Sequence, residues 1–194
     1  MSRKVNRVKV HLDSKGIEEL SSEEKVAILR GADSLIMRGG RNLLSKLLKG
    51  SKEKKLLELG LDENPSYGYY SNNSLDEILA KIDWMILNDY IGIEYDYRLP
   101  LIYFTEKGWE IEKDTYSSEM LEVFNEMLNN PKENYDLSYL KDRDRELIFL
   151  LLDKVEKTGD KKYIPLLESW KEIDYKKVRQ RINHVINSIN QNAT

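Results

Sequence analysis

The 194-residue chain is long enough for one ordinary domain with a helical extension, or for two small domains. Hydrophobic residues make up 40% of it, which predicts a folded protein. It has no cysteine, and this excludes disulfides, thiolate nucleophiles and cysteine-ligated zinc. The sequence has no apolar run of transmembrane length, and no apolar segment follows its basic N-terminus. We therefore expect a cytoplasmic, bacterial or phage protein without a membrane association, and association with the nucleoid is compatible with this.

The formal net charge of −3 conceals an uneven distribution of charge along the chain. Residues 38–55 contain seven bases and one acid, whereas residues 110–160 contain fourteen acids and seven bases. Because a polyanion responds to the local field, the first region can bind one even though the whole chain is acidic.

The first predicted elements precede this basic region. Val8, Val10 and Leu12 alternate with polar residues in the basic segment 3–13, which predicts a short strand. Ser21 and Glu24 have the spacing of a capping box, so a helix is expected to begin there. Its apolar spacing continues almost to Gly39.

A helix-turn-helix is predicted next. Residues 41–48 form an amphipathic helix that Gly50 interrupts, and Ser51 is expected to cap a second helix over residues 52–59. Ser74 and Glu77 again have capping-box spacing and predict the start of a third helix.

A β-hairpin follows the third predicted helix. Residues 90–95 and 101–105 are predicted as strands, and residues 96–100 join them as a slightly long loop stiffened by Pro100. Three helices and then a hairpin is the order of a winged helix. Helical patterns return at residue 108, end near Pro131, and recur over residues 142–157, 163–171 and 175–190.

An ordered series of residues in the basic region resembles the RQC domain of RecQ helicases. The resemblance covers roughly residues 22–113. The matching residues are Gly39-Gly40, Leu44, Leu47-Leu48-Lys49-Gly50-Ser51-Lys52, Leu56, Leu59, Tyr67-Gly68, residues 82–90 and Phe104-Thr105-Glu106-Lys107-Gly108.

The resemblance implies a small stand-alone bacterial protein that holds DNA and has no helicase motor. The chain has no Walker A sequence and no cysteines for the zinc module that RecQ helicases carry, so helicase activity is not part of what the resemblance implies. We expect a non-enzymatic protein that binds duplex or forked DNA in repair, recombination, replication or mobile-element biology.

Two sets of residues are candidates for contact with DNA. Gly50-Ser51 is expected to open a helix whose N–H groups hold a phosphate, and the resemblance implies phosphate contacts by Lys49, Ser51 and Lys55. It also implies a wing-tip aromatic, here Tyr97, that stacks on a terminal base pair. The alternatives are a solvated basic face and cross-strand packing of Tyr97. The full predicted set is Arg38, Arg41, Lys49, Ser51, Lys52, Lys54, Lys55, Tyr97, Arg98 and Leu99.

Catalytic, metal and cofactor sites are not expected. His11 and His184 lie far apart and neither has a ligand-spaced partner. The acids at positions 142, 144 and 146 alternate with Arg143 and Arg145, which is typical of a salt-bridged helix face.

The C-terminal region resembles one HEAT repeat. The matching residues are Gly159-Asp160, Tyr163 to Leu167, Trp170, Asp174, Val178-Arg179, Ile182 and Ile186. One repeat cannot bury its own apolar face, so it must pack on the preceding helices or on a protein partner. A plain helical bundle has the same apolar spacing. The acidic balance of the region favours contact with protein over contact with DNA.

Together these patterns predict an α+β, mostly α fold. A basic segment (residues 1–20) precedes a winged helix (residues 21–115), and a helical domain (residues 116–194) that is HEAT-like or a small bundle follows it. Three other functions stay open. They are a transcription regulator that reads DNA with residues 74–88, a protein-interaction adaptor, and an RNA-binding protein.

Overall fold

The computed structural model describes residues 7–130 and 135–191. The chain divides into two compact units, Met1–Glu112 and Lys113–Thr194, and each is described by itself. The boundary falls inside the long helix α5 (Glu106–Asn129). The predicted domain limits at residues 20 and 115 stay a prediction.

The first unit contains the winged helix. Its helices α1 and α4 begin at the predicted capping boxes, where Ser21 and Ser74 each accept a hydrogen bond from the backbone N–H three residues on. The elements are α1 (Ser22–Asp33), α2 (Arg41–Lys49), α3 (Lys54–Glu58), a 3-10 turn (Leu61–Glu63), α4 (Leu75–Leu87), β1 (Ile91–Asp96), β2 (Leu99–Phe104) and the start of α5 (Glu106–Asn129).

The core of this unit lies between α1, α2 and α4. Leu44, Leu47 and Leu48 on one face of α2 are fully buried, as are Ile28 and Ile82 on the neighbouring helices. The leucine spacing therefore turns the apolar face of α2 inwards and leaves its basic residues on the opposite side.

The hairpin is tighter than predicted. β1 and β2 are antiparallel and pair from Ile91 with Phe104 to Asp96 with Leu99, so only Tyr97 and Arg98 form the turn. The predicted loop over residues 96–100 is wrong, and Pro100 lies in β2 opposite Tyr95. The short turn is closed because Tyr97 adopts a positive φ of 52°, which the sequence alone does not signal.

The free edge of β2 is partly covered by the segment before α2. The N–H of Met37 donates to the carbonyl of Ile102 at 2.9 Å, and the N–H of Ile102 donates to the carbonyl of Gly39 at 3.0 Å. A Cβ atom at Gly40 would lie 2.6 Å from the Pro100 carbonyl oxygen. Gly40 thus allows the chain to pass close against the wing.

The predicted N-terminal strand is wrong for the part of that segment the structure describes. The N–H of Val8 donates to the carbonyl of Arg98 at 3.2 Å, and the Tyr95 hydroxyl donates to the carbonyl of Val8 at 2.8 Å. A single backbone bond builds no ladder, so the alternation of apolar residues here gives an extended segment beside the wing.

The second unit is helical throughout its described regular structure. It contains the rest of α5, α6 (Arg145–Thr158), α7 (Ile164–Ile173), α8 (Lys176–Gln191) and two short 3-10 turns. Phe124 and Trp170 meet edge to face in its core. A mostly helical chain with one antiparallel hairpin confirms the predicted winged helix followed by a helical region. The predicted helix end at Pro131 lies outside the described residues.

Candidate nucleic-acid interface

The turn after α2 is fixed by its own backbone. Gly50 ends α2 with a φ of 75°, and its N–H donates to the carbonyl of Leu47 at 2.9 Å. A Cβ atom at Gly50 would come within 3.0 Å of the Gly68 Cα atom. The hydroxyl of Tyr67 donates to the carbonyl of Ser51 at 3.1 Å. Gly50 and the Tyr67-Gly68 loop therefore form one backbone contact in which a side chain at position 50 would not fit.

Ser51 does not cap the next helix. The N–H of Ser51 donates to the carbonyl of Lys46 at 2.9 Å, and its hydroxyl accepts from the N–H of Glu53 at 3.3 Å. Helix α3 begins later, at Lys54 with Glu53 as its N-cap, and has five residues. The predicted helix over residues 52–59 is present but shorter. The predicted free N–H groups at Gly50-Ser51 are wrong, because the Gly50 turn uses those groups to close α2.

Lys49 is tied to the loop before α4. Its ammonium group donates to the carbonyl of Ser71 at 2.5 Å and to that of Asn73 at 2.7 Å. The side chain is half-buried. Lys49 therefore has a structural contact, which is separate from the predicted contact with phosphate.

A groove of about 500 Å³ lies beside the wing. Residues of β2 form one wall, and the Gly39-Gly40 segment and α2 form another, with the N-terminal segment and α3 at its ends. Its charged lining residues are Lys9, Arg38, Arg41, Lys46, Lys55 and Glu53, and its apolar ones include Val8, Val10, Leu43, Leu59, Ile93, Leu99, Leu101 and Ile102.

Two of the five bases of the groove are paired with acids. Lys46 forms a salt bridge with Glu53, and Arg41 forms one with the carboxylate of Asp83, which is only 4% exposed. Among the described residues, no acid pairs with Lys9, Arg38 or Lys55, and all three are exposed. The groove therefore has net positive charge, which a phosphate backbone can neutralise.

The remaining predicted bases lie outside this groove. Lys52 and Lys54 are exposed on the turn and on α3, and Lys54 lies 3.5 Å from the Glu58 carboxylate. This pair is so exposed that solvent screens it. The structure brings Arg38, Arg41, Lys55 and Leu99 together around the groove, and Lys49, Ser51, Lys52 and Lys54 lie apart from it.

The wing tip is the most exposed part of the predicted site. Tyr97 is 66% exposed and Leu99 is 61% exposed, although both are large hydrophobic side chains. The Arg98 guanidinium lies 5.3 Å from the centre of the Tyr97 ring. A positive φ at a bulky residue costs about 1–2 kcal/mol. An exposed, strained aromatic is a feature of functional sites.

Sequence reasoning missed two bases of the groove. Lys9 enters it with the N-terminal segment, and Lys46 enters it from α2. The basic composition of residues 3–13 was a signal for Lys9. It did not reveal that the single Val8–Arg98 bond holds that segment beside the wing. Lys46 forms its salt bridge with Glu53, the N-cap of α3, and the sequence pattern placed the start of that helix too early.

The described residues hold no group of three or more His, Cys, Asp and Glu residues that suits a metal ion. Within the same part of the chain, no helix is both long and apolar enough to cross a membrane.

Comparison with known proteins gives one family and one related protein. The model of the RQC domain matches residues 10–126, more than half of the chain. The ATP-dependent DNA helicase RecQ of Bacillus subtilis (strain 168) is 32% identical over 80 residues, which are 41% of this chain and 13% of the helicase. The chain thus matches only a small part of that relative's length. No solved structure matches.

Proposed function

Because this chain belongs to the family of the RQC domain, which is associated with DNA binding in RecQ helicases, we propose that its winged helix binds duplex or forked DNA without catalysis. The proposal excludes helicase activity, since a motor is no part of the matched region. The process would be DNA repair, recombination or replication.

The observation that carries the proposal is the groove beside the wing. It gathers five bases and one acid within a unit whose fold is a winged helix. Arg38 and Lys55 flank it as exposed bases with no acid paired to them among the described residues. Phosphate neutralisation by such side chains supplies most of the affinity of a protein for duplex DNA.

The wing tip is proposed to act on the end of the duplex. Tyr97 is exposed and lies beside Arg98, so its ring can stack on a terminal base pair while the guanidinium contacts a phosphate. Leu99, equally exposed, adds an apolar surface next to that ring. These three residues would give preference for a fork or a blunt end over the interior of a duplex.

The bases of the α2–α3 turn are proposed to extend the phosphate contacts. Lys52 and Lys54 are exposed, and the ammonium of Lys49 has three donors, of which two are used by the carbonyls of Ser71 and Asn73. Ser51 would contribute only its hydroxyl, because its N–H is already bonded to Lys46. Arg41 would act through its charge while it holds Asp83.

The geometry of α4 argues against a regulator that reads sequence with that helix. Lys81 is the one base of α4, and it forms a salt bridge of 2.5 Å with Glu24. Asp76 and Glu77 occupy the first turn. A helix with this charge pattern would be repelled by the phosphates that border a groove of DNA.

A binding titration tests the proposal. A fluorescent forked duplex, a blunt duplex and a single strand are titrated with the wild type, with Arg38→Ala/Lys55→Ala and with Tyr97→Ala. The double variant should lose about tenfold or more in affinity for both duplexes. Tyr97→Ala should lose the preference for the fork or end.

A matched control is Lys157→Ala/Lys161→Ala, which removes two exposed bases of the second unit. If no nucleic acid binds even at low salt, the proposal fails and the adaptor hypothesis replaces it. Binding of RNA duplex with equal affinity would extend it to RNA.

A further inference from the structure

Helix α8 differs in charge from the acidic stretch that precedes it. Residues 175–191 contain four bases and no acid, whereas residues 110–160 contain fourteen acids and seven bases. The acidic balance of residues 110–160, which favours a protein partner, therefore does not describe α8 (Lys176–Gln191).

The two faces of α8 have distinct compositions. Val178, Ile182, Val185 and Ile189 are buried within the second unit. The exposed face carries bases and amides, among them Lys176, Lys177, Arg179, Gln180, Asn183 and Asn187. Such a face offers only cations and neutral hydrogen-bonding groups to a partner.

Five of the ten other described lysines and arginines of the second unit form salt bridges with acids. Lys154 pairs with Asp114 at 2.7 Å, Lys113 pairs with Glu146 at 3.3 Å, and Arg181 pairs with both Asp153 and Glu156 at 2.6 Å. In contrast, no described acid pairs with the side chains of Lys176, Lys177 and Arg179. Lys176 and Lys177 line a pocket together with Asp142, Asp144 and Asp174, but they form no ion pair with these acids, so their ammonium groups remain able to pair with an anionic partner.

Lys176, Lys177 and Arg179 also lie near the N-terminus of α8, where the helix dipole disfavours cations. Helices α1, α4 and α6 carry acids in their first turns, and α8 carries none there. The dipole of a helix repels cations at its N-terminus and attracts anions. Lys176, Lys177 and Arg179 thus weaken the isolated helix, and a bound anion would remove that cost.

We propose that the exposed face of α8 is a second surface for duplex DNA, in which Lys176, Lys177 and Arg179 neutralise phosphates and the amides of Gln180, Asn183 and Asn187 donate to phosphate or sugar oxygens. Charge complementarity supports a polyanion as the occupant, and amide donors are common in contacts with the DNA backbone. A membrane surface fits less well, because the apolar face of α8 is buried within the unit and cannot insert into lipid.

This surface does not depend on the winged helix. The two surfaces belong to one chain, so engagement of the first raises the effective concentration of the second on the same DNA. The affinity for a long duplex should then exceed that of either surface acting alone.

The test compares two triple variants of the full chain on a long blunt duplex at several salt concentrations. Lys176→Gln/Lys177→Gln/Arg179→Gln should bind about tenfold more weakly at low salt, and the slope of log affinity against log salt should be shallower by about 3. The control Lys157→Gln/Lys161→Gln/Lys162→Gln removes the same charge from exposed positions elsewhere in the unit and should change affinity by less than about twofold.

Thermal unfolding separates a lost contact from a lost fold. Because the substitutions remove cations from the positive end of α8, the Tm of the α8 variant should stay equal to that of the wild type or rise slightly. If the triple variant loses binding and also has a lowered Tm, the single variant Arg179→Gln is measured. The proposal requires that this variant also binds duplex DNA more weakly than the wild type.

The remaining outcomes distinguish this proposal from that for the winged helix. If the α8 variant binds as the wild type does while Arg38→Ala/Lys55→Ala does not bind, the α8 proposal is overturned and the winged-helix proposal stands. The opposite pattern sustains α8 and overturns the winged helix. If the wild type binds no duplex, both are overturned. If the α8 variant loses only binding to anionic phosphatidylserine vesicles, the surface is one for lipid.

Discussion

The α2–α3 turn and the wing tip are both parts of the predicted DNA-binding site, but they are built in opposite ways. At the turn, Gly50, Ser51 and Lys49 all make hydrogen bonds to other parts of the unit. At the tip, Tyr97 and Leu99 project into solvent, and the backbone of Tyr97 is strained. The turn is thus stabilised by contacts within the protein, whereas the tip has a costly conformation that closes a two-residue turn and leaves its large side chains exposed.

The residues that carry the family resemblance divide in the same way. Gly40 and Gly50 belong to the resemblance, and each permits a close approach of backbone to backbone. The groove bases Arg38 and Lys55 make no ion pair with a described acid. These glycines of the family resemblance therefore maintain the fold, whereas Arg38 and Lys55 are residues proposed to contact DNA.

The largest effect is expected from Gly50→Val. A β-branched residue at a φ of 75°, 3.0 Å from the Gly68 backbone, should lower the free energy of unfolding by about 3 kcal/mol. Chemical denaturation measures this value. Gly16→Val is the control, since Gly16 has a similar φ of 74° but nothing within 4 Å of its Cβ position. Equal losses in the two variants would show that the contact with Gly68 contributes nothing.

A smaller effect is expected from Lys49→Met, which keeps the apolar stem and removes the ammonium group. Two hydrogen bonds to the carbonyls of Ser71 and Asn73 are lost, so the free energy of unfolding should fall by about 1–2 kcal/mol. Lys55→Met, at an exposed position, should change stability by less than about 0.5 kcal/mol. Both variants should weaken binding of duplex DNA. If Lys49→Met leaves stability unchanged, the distinction between a fixed turn and an open groove loses its support.

The smallest effect on stability is expected at the wing tip, and its sign is opposite. Tyr97→Gly removes the strain of a positive φ, so stability should stay the same or rise by about 0.5–1 kcal/mol. The same variant should lose preference for forked or blunt ends, which a titration against internal and terminal sites measures. A variant that is destabilised would indicate that Tyr97 packs within the fold, as cross-strand tyrosines do.

Acid should weaken the capping box of α4. The pKa of Glu77 lies below its ordinary value because its carboxylate accepts hydrogen bonds from the backbone N–H and the hydroxyl of Ser74. The stabilisation by this contact is present above the ordinary pKa of a glutamate and is lost as the pH falls through the lowered pKa. Glu77→Gln should therefore show a smaller loss of stability between pH 5 and about pH 3 than the wild type does, as followed by thermal unfolding.

Sequence patterns predicted most of the fold correctly, for identifiable physical reasons. The capping boxes at Ser21 and Ser74 and the leucines of α2 are local signals, and each specifies an element by itself. The predicted order of helices followed by a hairpin is confirmed for the same reason, and four α-helices precede the hairpin in the described part of the chain.

The errors arose where distant contacts decide local structure. Ser51 looks like a cap, but Gly50 adopts a left-handed conformation against Gly68, and this closes α2 and delays α3. The tight wing turn depends on an unfavourable φ at Tyr97, and turn propensities do not predict tyrosine there. Lys9 enters the groove through a backbone bond to residue 98, which no local pattern encodes.

The most direct test of the groove is the salt dependence of duplex binding. Log affinity is measured against log salt concentration for the wild type, for Arg38→Ala/Lys55→Ala and for the control Lys157→Ala/Lys161→Ala. If both groove bases contact phosphates, the slope for the groove variant should be shallower by about 2, and the control slope should match that of the wild type. Equal slopes for all three proteins would contradict phosphate binding in the groove.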